Sequence, residues 1–74
     1  MLIKFKVNNI ILDKYDHENF SFSADKKLTN IKNKIALCVE RRTVYNGYKI
    51  MRILFEGYVG WTFESNLGSY FDPI

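Results

Sequence analysis

Cysteine, proline and histidine each occur once, as Cys38, Pro73 and His17. A lone cysteine excludes an intramolecular disulfide framework and a thiolate zinc cluster. Alanine is confined to positions 24 and 36, so the residue with the strongest helix preference is nearly missing. Uninterrupted apolar runs extend no further than Ile35 to Val39, whereas a membrane-spanning helix needs about 20 consecutive apolar residues. The opening Met1-Leu2-Ile3-Lys4-Phe5-Lys6 alternates lysine with apolar residues. A secretory signal would place its charge first and a continuous apolar stretch after it. An intracellular chain without a membrane anchor is expected. Neither sign of charge dominates: Lys+Arg 11 against Asp+Glu 8 gives +3, too little for a histone-like tail.

Catalytic constellations are equally scarce. His17 is flanked by Asp16 and Glu18, but three adjacent side chains seldom converge on one ion, and no second histidine completes a ligand set. Cys38 has no base ordered beside it, as a nucleophilic thiol requires. Asp16 and Glu18 lie in a polar stretch with no apolar pocket to separate their pKa values. The glycines form no phosphate-binding loop. The sequence therefore predicts no catalytic residue, no metal and no small-molecule cofactor.

What is abundant is aromatic and β-branched. The 74 residues are 47% hydrophobic and 16% aromatic, enough for one small domain over 1–74 and incompatible with a disordered segment. Residues 2 to 7 alternate as a half-buried strand, and Ile10 to Leu12 continues beyond Asn8-Asn9. Asp13 to Asn19 reads as a polar loop pinned by Phe20 and Phe22, and Asp25-Lys26-Lys27 as a second turn. From Ile31 to Arg41 the period is two. Ile31, Ile35, Leu37 and Val39 share one parity, expected inward; Lys32, Lys34, Cys38, Glu40 and Arg42 share the other, expected outward. The rival reading is a short helix over Asp25 to Lys34, from the spacing of Leu28, Ile31, Lys32 and Ile35. Asn46-Gly47 is a turn dipeptide. Tyr48 to Phe55 forms the next strand, with Met51, Ile53 and Phe55 inward. Glu56-Gly57 turns it into Tyr58 to Phe63. Glu64-Ser65-Asn66 makes one 3₁₀ turn, and Leu67 to Phe71 is a last strand ended by Asp72-Pro73. Five or six short strands with frequent turns predict an all-β barrel or sandwich.

The run Ile53 to Leu67 carries a family likeness. An apolar strand, a tight turn at Gly57, Gly60-Trp61, a few polar residues and Leu67 resemble the end of an SH3-like barrel of the bacterial and phage (SH3b) type. Ser65-Asn66-Leu67 corresponds to the 3₁₀ step into the last strand, Ile35 to Glu40 to the second strand, and Arg41 to Gly47 to the loop before the third. The likeness covers residues 31 to 71 well and the first 30 weakly. It implies a small five- to six-stranded barrel and a non-enzymatic binding module, an interaction or assembly factor of a bacterium or phage. Such a factor would be cytoplasmic, or virion-associated if phage-encoded. The eukaryotic signalling domains bind proline-rich helices. Here no proline precedes Ser65, and Tyr48 stands where those domains start the third strand with Trp, so that ligand is not implied.

Two surfaces follow. Tyr48, Tyr58 and Trp61, framed by Arg41, Arg42 and Arg52, would form a patch for a protein partner or a second copy, since large rings lose few rotamers on binding. Trp61 has the alternative of a core position with its N–H satisfied. The other surface is a basic stripe of Lys4, Lys6, Lys32, Lys34, Arg42, Lys49 and Arg52, with Tyr45, Tyr48, Tyr58 and Trp61 available to stack bases. It would make a nucleic-acid-binding barrel; the plainer account is solubilising charge on edge strands.

Overall fold

In the computed structural model, which describes residues 1–44 and 46–74, the chain is all-β apart from one 3₁₀ turn. Its strands are β1 (Leu2–Phe5), β2 (Asn9–Asp16), β3 (Ser21–Thr29), β4 (Ile35–Thr43), β5 (Lys49–Phe55), β6 (Tyr58–Phe63) and β7 (Phe71–Pro73), with the 3₁₀ turn Glu64–Asn66 between β6 and β7. They form one antiparallel sheet in the order β3-β2-β6-β5-β4-β1-β7. Among the described residues seven strands stand where five or six were expected, and the difference lies in the first 30 residues.

Asp13 to Asp16 is strand, not loop: β2 pairs with β3 from Asn9↔Thr29 to Asp16↔Ser21. Tyr15 is buried there, and its ring gives the segment an apolar anchor that the surrounding polar residues conceal. Asp25-Lys26-Lys27 is not a turn or the start of a helix. Leu12 pairs with Lys26 and Asp13 with Ala24, so Asp25 is the extra residue of a β-bulge, which leaves polar residues in an otherwise continuous strand. The β2–β3 turn is held by Asp16, whose Oδ1 accepts the backbone N–H of Glu18 at 2.9 Å and whose Oδ2 accepts the Asn19 amide at 2.8 Å.

The expected parity of β4 is reversed over residues 35–39, before a bulge returns Glu40 and Arg42 to the outer face as expected. Ala36 and Cys38 are buried, while Ile35, Leu37 and Val39 are exposed. The reason is volume. The core on that side already holds Phe5, Phe55, Phe71, Ile3, Met51 and Ile53, with the Phe5 and Phe55 rings edge to face at 5.3 Å. Small residues opposite these rings fill the remaining space without overpacking. Ile31 is buried as expected, but from the turn before β4, where Asn33 has φ 69°. The β5–β6 hairpin is as the sequence predicts: Met51, Ile53 and Phe55 are buried, and Glu56 (φ 48°) and Gly57 (φ 83°) make the two-residue turn. Ile50 joins them in burial, on the opposite face of β5. The last strand starts only at Phe71, whose neighbour across β1 is Phe5.

Candidate functional site

A second, smaller cluster of Tyr15, Ile50 and Trp61 lies on the outer face of the sheet, with Phe22, Val44 and Phe63 packed against it. Ile50 pairs with Phe63, and Arg52 with Trp61. The β2–β3 hairpin reaches this face through Asp13, paired with Trp61. Gly60 permits that approach, since a Cβ there would lie 2.5 Å from Leu12 Cβ.

The exposed side of the cluster is a cleft of about 480 Å³ lined by Tyr15, Phe20, Phe22, Val44, Asn46, Tyr48, Phe63 and Ser65. Its walls are the β2–β3 hairpin, the residues flanking position 45, and the 3₁₀ turn. The rings form a chain: Tyr15 to Phe22 at 4.8 Å, Phe22 to Phe63 at 5.0 Å and Phe63 to Tyr48 at 6.0 Å. Phe20 enters it from a left-handed backbone conformation, φ 52°, of the kind that non-glycine residues keep where surrounding structure enforces it.

Trp61 belongs to the core, only 8% exposed. Its face is covered by two guanidinium groups, Arg42 at 5.4 Å and Arg52 at 5.9 Å from the ring centroid, a favourable stacking for delocalised cations. Glu40 ion-pairs with both arginines. His17 lies exposed in the β2–β3 turn, as a solvated loop residue would, but it is not without contacts. Arg42 donates to its ring at 2.8 Å, and the ring stands edge-on to Tyr15 at 4.5 Å. Arg41 points elsewhere, to Glu64, and that hydrogen bond raises its already high pKa.

Of the six residues expected to form one patch, Arg42, Arg52 and Trp61 are brought together. Tyr48 stands at the cleft, beside Phe63. Tyr58 is at the other end of the hairpin, next to the Glu56-Gly57 turn, where Lys26 sits 4.2 Å from its ring. Tyr48 and Tyr58 are thus separated by the length of β5, and the three rings do not share a surface. Tyr15, Phe22 and Phe63 were missing from the expected patch. The alternation of Tyr15 and His17 against Phe20 and Phe22 across a polar turn is the signal that marks Tyr15 and Phe22.

Four of the seven residues of the basic stripe, Lys6, Lys34, Arg42 and Arg52, are ion-paired. Lys6 pairs with Asp72, Lys34 with Glu56, and Arg41 with Glu64, in addition to the Glu40 pairs. Tyr45 lies outside the described residues. Among the described residues no group of three or more His, Cys, Asp or Glu is placed to hold a metal ion, and no helix is long and apolar enough to cross a membrane. Cys38, expected on the outer face, is buried, its Sγ 3.4 Å from the Glu40 carbonyl. No family model matches the chain, and neither does a curated protein or a solved structure.

Proposed function

We propose that the chain is a non-enzymatic binding module, built as an SH3-like barrel, whose aromatic cleft takes an extended segment of a protein partner. The order of elements supports the barrel: a first strand, a long hairpin, a three-strand meander turning at Gly57, a 3₁₀ turn, and a last strand returning to β1. The observation that carries the binding reading is the ring chain Tyr15–Phe22–Phe63–Tyr48 in an open cleft. Tyr48 remains 59% exposed there, so its large, rotamer-poor ring is available to a ligand. An assembly or accessory factor of a bacterium or phage would use such a surface. A protein segment is favoured over nucleic acid because the arginines nearest the cleft are already paired with Glu40 and Glu64.

The test is a display selection of random peptides, followed by titration of the enriched sequence. Tyr48→Ala should raise Kd by at least ~30-fold, as for a residue worth about 2 kcal/mol, and added salt should change Kd little. Steeply salt-dependent binding of a single-stranded oligonucleotide, untouched by Tyr48→Ala, would replace this reading with nucleic-acid binding.

A further inference from the structure

The reversed parity of β4 leaves an aliphatic surface with nothing over it. Leu2 pairs with Leu37, Leu37 with Leu54 and Leu54 with Val59. These four side chains are successive cross-strand neighbours on β1, β4, β5 and β6, each between 37% and 47% exposed. Ile35 and Val39 extend the row along β4 in both directions and are equally bare. The row lies beyond the Glu40–Arg52 pair, on the opposite side from the aromatic cleft.

We propose that this face binds a second copy of the chain. The six residues are each between 37% and 53% exposed, and a contiguous exposed apolar patch of this kind marks an interaction surface. A standard interface covers about 800 Å² per partner, and homodimer interfaces are about two-thirds apolar, so an aliphatic row spanning four strands suits the apolar core of one such interface.

Two ion pairs at its ends are also self-complementary. Lys34 and Glu56 sit at one end of the patch, 3.6 Å apart, and Glu40 and Arg52 at the other, 3.9 Å apart. A two-fold axis along the row, in the plane between two such faces, sets Leu37 against the partner's Leu37 and Ile35 against the partner's Val39. It also exchanges the ends, so Lys34 meets the partner's Glu40 and Glu56 meets the partner's Arg52. A two-fold contact must be self-complementary in this sense.

Light scattering on the eluting protein and sedimentation, from micromolar to about 1 mM chain, decide the matter. The wild-type chain should dimerise. Leu37→Lys and, independently, Val59→Lys should weaken dimerisation at least ~100-fold while keeping the far-ultraviolet strand spectrum. Both positions are solvent-facing, so the second variant reports even if the first fails to fold. Tyr48→Ala should dimerise like wild type, which separates this surface from the cleft. A wild-type chain that stays monomeric throughout, or a dimer that survives both lysine substitutions, overturns the proposal.

Discussion

Gly60 occupies a strand position where a methyl group has no room, because Leu12 Cβ would lie 2.5 Å from it and Asp13 O 3.4 Å. Gly57 has open space around it but a φ of 83°. The same substitution therefore acts by two mechanisms. Gly60→Ala should cost roughly 3 kcal/mol, the upper range for overpacking against a rigid neighbour. Gly57→Ala should cost only about 1 kcal/mol, from the left-handed backbone. Equal losses in denaturant titrations would contradict this assignment. Two aspartates on β2 differ in the same way. Burial raises the pKa of Asp13, whereas the Asn19 side chain and the Asn19 and Glu18 backbone N–H groups lower that of Asp16. Ionised Asp13 thus opposes folding above the ordinary aspartate range, and ionised Asp16 supports it. Asp13→Asn should raise Tm at neutral pH, and the gain should vanish as pH falls through the ordinary aspartate range. Asp16→Ala should lower Tm at neutral pH, and its deficit should vanish once the pH has fallen through the depressed pKa of Asp16. A pH-independent difference in either variant would refute the corresponding assignment.

At the scale of the element, β4 shows why period two identifies a strand but not its inner face. Ile35, Leu37 and Val39 are the larger apolar set, and the alternation is real. Which side is buried was decided by Phe5, Phe55 and Phe71, residues remote in sequence whose volume leaves space only for Ala36 and Cys38. The bulge between Cys38 and Glu40 then changes the phase again, so Glu40 and Arg42 come to face Trp61. The β5–β6 hairpin was legible because its determinants are local: a two-residue turn, alternation on both sides, and Gly-Trp. The Asp25 bulge was not, since Asp-Lys-Lys has the composition of a turn and only pairing with Leu12 and Asp13 distinguishes the two. Burial of Cys38 gives a direct check on the inversion. In the folded protein its thiol should react with an alkylating reagent far more slowly than in denaturant, and Cys38→Ser should cost about 1–3 kcal/mol by burying a hydroxyl. Rapid native-state labelling would restore the outward orientation expected from the sequence.

For the whole molecule, the strand order is what turns a list of aromatics into a site. Tyr15 and Phe22 come from the first hairpin, Tyr48 from the start of β5, and Phe63 from the end of β6. They meet because the β2–β3 hairpin joins the sheet beside β6 at Asp13↔Trp61. Period-two alternation and frequent turns led to an all-β expectation, and the sheet agrees with it. The cleft depends on the first 30 residues, where the pattern was weakest, and so the expected patch joined Tyr58 to Tyr48 although the length of a strand separates them. The same topology leaves the aliphatic row and the cleft on one face, divided by Arg42, Arg52 and Glu40 over Trp61. The cleft is the proposed binding site for a partner segment. Its most direct test is the map of amide and aromatic chemical-shift changes when a selected peptide is added to isotope-labelled protein. Changes should centre on Tyr15, Phe22, Val44, Tyr48 and Phe63, with Leu2, Leu37 and Val59 unmoved. Changes centred on the aliphatic row or on the lysines of β3, with the cleft silent, would contradict it.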